Sequence, residues 1–285
     1  MYIENLHLEV TRNCTLECEH CLRGESQKVN MSPKVLDTVF DNVTQVDFLL
    51  LTGGEPLLAI QTLERLAEIL KQKKVKVNKI IIVSNGTVCS ERVLNVLKEL
   101  ASCSYFMFKV SNNIFHNLEL NRLNLTSIRD RNLDLFKNSE IIWNFDDSYG
   151  KENEGICKAS ILRLGKAKEI SPERLAEINT ISTEEYIIVN PDTPRQPETT
   201  IEDDKVLGYI TVDVYGDIVT YGQEFAEEDK EAYETGLNIL EIPFDEAVRL
   251  FIERKTEERK ITPFKSGIFE YADAEFAKKK LTGSK

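Results

Sequence analysis

The sequence lacks a basic excess: 36 Lys and Arg stand against 48 Asp and Glu, a formal charge of −12. Nucleic acids and anionic membrane surfaces both select for a basic face that displaces counterions, so neither is expected as a partner. Long apolar runs are also missing. The longest are short stretches such as Ile80 to Val83, far below the roughly 20 residues a bilayer-spanning helix needs. Met1 to Val10 (MYIENLHLEV) alternates like a strand and has neither a basic n-region nor a long apolar h-region, so it does not read as a secretory signal. A cytoplasmic protein is expected. There is no evenly spaced cysteine framework: the six cysteines fall at 14, 18, 21, 89, 103 and 157, three within eight residues and three scattered. That excludes a disulfide-stapled secreted domain and favours reduced thiols that hold a metal. No internal repeat or low-complexity tract is present.

What is there is the composition of an ordinary globular protein, 41% hydrophobic and 29% charged. Short β-branched runs at Leu6 to Val10, Val46 to Leu51, Lys79 to Val83, Tyr105 to Val110 and Glu140 to Phe145 alternate with helical patterns at Ser32 to Val43, Leu57 to Lys73 and Ser90 to Ala101. Ser32 before Pro33, and Ser90, are N-cap signals. This alternation predicts βαβ units with right-handed crossovers and a parallel sheet, open or barrel-like, whose active site sits at the carboxyl ends of the strands. After Phe145 the pattern loosens. Residues 190–204, rich in proline and acid, read as a linker, and beyond it Gly208 to Val214, a turn at Tyr215-Gly216-Asp217, and Ile218 to Tyr221 predict a β-hairpin. Pro243 to Lys255 predicts an amphipathic helix.

Every unusual motif falls at a predicted strand end. Directly after the first strand comes Thr11-Arg12-Asn13-Cys14-Thr15-Leu16-Glu17-Cys18-Glu19-His20-Cys21, a C-x3-C-x2-C loop whose thiolates suit zinc or an iron–sulfur cluster. Zinc in a structural site closes with four ligands, so three cysteines favour a centre with one open position. Thr52-Gly53-Gly54-Glu55-Pro56 follows the second strand, where paired glycines permit close backbone approach and Glu55 adds an acceptor. Ser84-Asn85-Gly86 follows the third strand and Ser111-Asn112-Asn113 the fourth, placing hydroxyl and amide groups suited to a ribose or an amino acid at the same rim. Cys89, Cys103 and Cys157 read as small buried hydrophobes. His7 reads as a packing residue and His116 as a surface or hydrogen-bonded one.

Together the C-x3-C-x2-C loop, with His20 just before its last cysteine, and the GGEP sequence at the next strand end resemble the radical S-adenosylmethionine (radical SAM) enzymes. The resemblance covers Met1 to about Gly165. It implies an α/β fold, a partial (β/α)6 TIM-like barrel with a small C-terminal α+β extension. It implies that Cys14, Cys18 and Cys21 bind a [4Fe-4S] cluster and that Gly53, Gly54 and Glu55 meet the methionyl amino group of SAM. Ser84, Asn85, Ser111 and Asn112 then fall where the ribose and methionyl carboxylate bind. The implied chemistry is reductive cleavage of SAM to a 5′-deoxyadenosyl radical that abstracts hydrogen from a substrate, fed by a low-potential donor such as flavodoxin or ferredoxin. Ile161 to Lys168 (ILRLGKAK), the predicted hairpin and Gly236 to Leu240 (GLNIL) resemble the SPASM or Twitch extension of peptide-modifying members, although no cysteine follows Cys157. The expected organisation is therefore a barrel over 1–195 and a SPASM/Twitch-like region over 196–285 without auxiliary-cluster cysteines. The expected activity is an iron–sulfur oxidoreductase acting on a peptide or protein. Small metabolites or nucleotides, glycyl-radical enzyme activation and a non-catalytic peptide-binding scaffold are the alternatives, as is a zinc knuckle for the cysteine loop.

Overall fold

The computed structural model describes residues 1–139, 145–146, 157–162, 165–181, 185–190, 199–219 and 235–261. Its first half follows the expected alternation: β1 (Tyr2–Thr11), α1 (Pro33–Asn42), β2 (Gln45–Gly53), α2 (Ile60–Gln72), β3 (Lys76–Ser84), α3 (Glu91–Cys103) and β4 (Tyr105–Val110). The serine caps act as their sequence positions dictate. Ser32 Oγ accepts from Val35 N at 3.3 Å and Ser90 Oγ from Val93 N at 3.2 Å, satisfying N–H groups that lack an intrahelical partner. Glu55 side chain accepts from Leu57 N over the short 3-10 turn Pro56–Leu58, so α2 starts three residues later than the periodicity suggests.

β1 to β5 (Phe145–Asp146) lie side by side in parallel and in chain order, as right-handed crossovers require. Alternate residues of these strands, among them Leu8, Leu51, Ile82 and Phe108, are fully buried in one core with the apolar stripes of α1, α2 and α3. The resulting α/β architecture is a partial TIM-like barrel whose sheet does not close.

Two features depart from the expected six-strand order. β6 (Cys157–Leu162) does not extend the main sheet; it pairs in parallel with β7 (Glu185–Asn190) in a separate two-stranded sheet. The far edge of β1 is occupied instead by β9 (Lys205–Val212), parallel to β1 from Tyr2↔Lys205 to Leu8↔Val212. β8 (Thr200–Glu202) and β10 (Ile218–Val219) both run antiparallel to β9, so the expected hairpin exists as part of the main sheet. α7 (Phe244–Ile261) buries Phe244, Ala247 and Val248 in the same core. Three further helices were not read from periodicity: α4 (Ile114–Arg122), α5 (Thr126–Asn138) and α6 (Pro172–Ile181). Their buried faces are narrow, only Asn132 and Phe136 in α5 and Ile178 in α6. Residues 140–144 of the expected fifth strand and 191–198 of the expected linker lie outside the described residues. No helix among the described residues is long and apolar enough to cross a membrane.

Candidate active site

The loop that leaves β1 doubles back on it. Arg12 N donates to Val29 O and Gln27 N to Arg12 O, both at 3.0 Å, so the loop flanks form a short ladder that holds the cysteines over the sheet's carboxyl end. Cys14, Cys18 and Cys21 meet there in a small apolar cluster with Leu16 and Leu120. Burial pushes the Cys14 thiol up to about 12, helped by the charge of Glu55 and Cys21, and raises Cys18 further, with Cys14 and Cys21 adding to the effect. As free thiols the pair stays protonated; a bound cation is what would ionise them. Among the described residues, no group of three or more His, Cys, Asp and Glu side chains is arranged to hold a single metal ion.

The paired glycines let β2 end against this loop. Gly54 N donates to Thr11 O at 2.8 Å and Glu55 N to Asn13 O at 2.7 Å. A Cβ on Gly53 would lie 2.3 Å from Thr11 O, and one on Gly54 2.3 Å from Asn13 O, contacts no side chain can make. Glu55 is fully buried and its carboxylate joins β2 to β3. Oε1 accepts from Ser84 Oγ at 2.9 Å and Leu57 N at 3.1 Å, and Oε2 accepts from Asn85 N at 2.7 Å. Burial pushes Glu55 up to about 7 against the pull of these three donors. The sequence brought Gly53, Gly54, Glu55, Ser84 and Asn85 to one rim; the structure adds that Glu55 is engaged by protein donors. Asn85 carries the connection on to the cysteine loop, donating to Thr15 Oγ1 at 3.0 Å and approaching Cys14 Sγ at 3.6 Å.

Ser111 sits one strand along, its N–H donating to Ser84 O at 2.8 Å, with Asn112 next to it. Asn113 then caps α4 and reaches His20, its Nδ2 lying 3.0 Å from His20 Nε2. The His20 ring is stacked on Phe115 with centroids 4.6 Å apart and meets His116 edge-on at 4.9 Å. His116 is therefore the hydrogen-bonded histidine of the two expected kinds, half-buried beside His20 with its Nδ1 2.7 Å from Asn113 Oδ1.

A buried charge network that no sequence motif announced ties the cysteine loop to the C-terminal hairpin. Glu9, on β1, accepts from Arg12 Nε at 3.2 Å, Arg23 Nε at 3.0 Å and Val214 N at 3.4 Å. Arg12 Nη2 stands 3.5 Å from Asp213 Oδ2, and its guanidinium lies 5.1 Å from the Tyr215 ring centroid. Arg23 also donates to Thr52 Oγ1 at 3.2 Å. The one available signal was Asp213 at the start of the hairpin turn, where its Oδ1 accepts from Tyr215 N and Asp217 N, both at 2.9 Å. Two more supports reach the loop from later elements: Glu119 Oε1 accepts from Glu17 N at 3.1 Å, and Lys166 N donates to Cys21 O at 3.0 Å.

Burial and the neighbouring Glu9 charge push Asp213 up to about 7, although Asp217 N–H and Arg12 favour its ionised form. The folded state therefore binds a proton here that the unfolded state releases between roughly pH 4 and pH 7, and this contribution to stability is lost as pH rises through that window. Asp213→Asn removes it. The stability of the native chain relative to Asp213→Asn, measured by urea unfolding, is expected to fall with rising pH across that range, by at most about 1.4 kcal/mol per pH unit. A pH-independent difference would assign Asp213 an ordinary carboxylate.

Residues 8–139 match the family model described as the Radical SAM superfamily. No curated protein matches the chain. Among solved structures, native anSMEcpe with bound AdoMet and a Cp18Cys peptide is 15% identical with a TM-score of 0.54, covering 90% of this chain and 82% of that one. The same protein with AdoMet alone gives 15% and 0.53 over the same shares. Streptococcus suis SuiB bound to its precursor peptide SuiA is 14% identical with a TM-score of 0.36, covering 76% of this chain and 59% of that one.

Proposed function

We propose, from the match of residues 8–139 to the Radical SAM superfamily model, that the chain is a radical SAM enzyme in which Cys14, Cys18 and Cys21 hold a single [4Fe-4S] cluster that cleaves SAM, with a peptide or protein as substrate. The family uses both groups. The observation that carries the reading is the donor set: three thiols on one loop, Cys18 buried and Cys14 and Cys21 half-buried, met by a strand end whose glycines leave no room for a Cβ. The residues present fit the cluster and the cofactor.

Cys14, Cys18 and Cys21 would hold the cluster, which would supply the electron for reductive cleavage of SAM and so the means of hydrogen abstraction from a substrate. The chain's own residues supply position and dryness. Leu16, Leu120 and the partly buried Leu123 and Leu125 pack around the thiols and cover Cys18 most fully. Gly53 and Gly54 offer backbone groups where a methionyl amino group would sit, with Glu55 holding that strand end rigid through Ser84 and Asn85. Ser84, Asn85, Ser111 and Asn112 form the polar rim assigned to ribose and carboxylate. A low-potential flavodoxin or ferredoxin would deliver the electron.

The peptide reading is supported by the hairpin and α7 that follow the barrel, which we assign as a SPASM/Twitch-like region over 196–285, and by the likeness in fold to a protein that binds AdoMet and a peptide. Anaerobic reconstitution followed by iron counting and low-temperature EPR, with and without SAM, tests the proposal. About four irons per chain and a reduced-cluster signal that shifts on adding SAM are expected. Cys18→Ala should lose both, along with all 5′-deoxyadenosine formation. Stoichiometric zinc without that signal would overturn the assignment, and about eight irons would contradict a single cluster.

A further inference from the structure

Asn113 stands between two imidazoles, and its hydrogen bonds fix where their protons are. Asn113 Oδ1 accepts from the backbone N–H of His116 at 3.1 Å. A backbone N–H can only donate, so this contact settles which end of the amide is oxygen. The same Oδ1 lies 2.7 Å from His116 Nδ1, which therefore carries hydrogen. The other end of the amide, Nδ2, lies 3.0 Å from His20 Nε2. An NH2 group only donates, so His20 Nε2 presents a lone pair, and a neutral imidazole with a lone pair there bears its hydrogen on Nδ1. His20 Nδ1 is buried and has no hydrogen-bond partner among the described residues. A buried donor left unmet is costly and seldom retained without a use.

We propose that Asn113 and His116 are positioning residues that lock His20 in its Nδ1–H tautomer, and that this N–H is a built-in donor to an acceptor atom of the group bound beside Cys21. The tautomer follows from the structure alone; the ligand half rests on the radical SAM reading above. Two acceptors have the required chemistry, a lone pair in the plane of a bound nucleoside's base and a sulfide of the cluster. Phe115 holds the ring by stacking, so His20 cannot rotate away when the site fills. Asn113 does two jobs with one amide: the oxygen starts α4 and the nitrogen sets the donor pattern of the pocket.

The test is Asn113→Ser. Serine keeps the α4 cap, so the fold is retained, but it removes the Nδ2 donor. Asn113→Asp keeps the cap as well and presents a second acceptor, which demands hydrogen on His20 Nε2. Long-range proton–nitrogen correlation spectra of the 15N-histidine-labelled, oxidised, cluster-loaded protein read both nitrogens of each ring, and with three histidines in the chain His20→Gln assigns the signal. The native protein should show hydrogen on Nδ1 of His20, and both variants should show hydrogen on Nε2. S-adenosylhomocysteine binding, followed by calorimetry, should weaken about fivefold in Asn113→Ser if the acceptor belongs to the nucleoside, the worth of one hydrogen bond. If the acceptor is a sulfide, binding is unchanged and the reduction potential of the nucleoside-free cluster falls instead. Hydrogen on Nε2 in the native protein, or a switched tautomer with neither affinity nor potential altered, overturns the inference alone. A native protein that takes up no cluster and binds no S-adenosylhomocysteine overturns the ligand half together with the reading beneath it.

Discussion

Gly54→Ala is expected to take up almost no iron. The added Cβ would lie 2.3 Å from Asn13 O and 2.7 Å from Asn13 C, both backbone atoms, so no change of rotamer relieves the contact. Either β2 or the cysteine loop must move by about 1 Å, the difference between these distances and ordinary van der Waals contact. The loop is the softer partner. It is held at this point by Glu55 N to Asn13 O, which the clash breaks, whereas β2 is fixed by pairing on both sides with β1 and β3. Asn13 precedes Cys14, so the first thiol is displaced with it. The core beneath, including Leu49 and Leu51, is untouched, and thermal unfolding of the apo-protein should change far less than iron content. Iron and sulfide per chain after anaerobic reconstitution provide the measurement. A Gly54→Ala protein with a full complement of iron would show that the loop can yield without losing its thiols.

Glu9→Ala should be the most destabilising single substitution in the charge network. Glu9 is fully buried and is the shared partner of Arg12 and Arg23, which are 5% and 15% exposed at their side chains. Removing the carboxylate takes the nearest counter-charge from two guanidinium groups, leaving Arg12 with Asp213 at 3.5 Å and Arg23 with Thr52 Oγ1 at 3.2 Å, and frees Val214 N, an outcome costing about 3–5 kcal/mol for a broken buried pair. Total stabilities are about 5–15 kcal/mol, so the urea midpoint should drop steeply. Glu9→Gln keeps the shape and an acceptor and should fall between the two. A loss below about 1 kcal/mol for Glu9→Ala would mean that water reaches the guanidinium groups and replaces the carboxylate.

The parts of the molecule legible in its sequence are those governed by local rules. Strand and helix periodicity placed β1 to β4 and α1 to α3 to within a few residues, because each buries one side against a single core and two carry serine caps. The glycine pair was legible because close backbone approach demands glycine. By contrast, α5 and α6 bury too few residues to generate a period. The partnership of β1 with β9 and the Arg12–Asp213 contact, 201 residues apart, are properties of the fold and leave no spacing to find. Asn113 lay in a strand-end motif, yet its action on His20 depends on a tertiary contact across 93 residues. His116 reads as a surface or a hydrogen-bonded histidine, and the choice between the two, which the structure makes in favour of the second, depends on neighbours that spacing does not reveal.

β1 leaves the ribosome before β9, and its outer edge waits for residues 205–212. At ordinary synthesis rates of about 5–20 residues per second, that edge stays bare for roughly 10–40 s. A bare strand edge is a template for pairing with other chains, so the nascent protein passes through a sticky interval that ends only when β9 arrives. The thiol loop shares that timetable: Glu9 can satisfy Val214 N, and Arg12 can face Asp213, only after the hairpin has docked. Readying of the site is thereby placed after synthesis of the hairpin, and β9 with its turn acts as the clasp for the first loop.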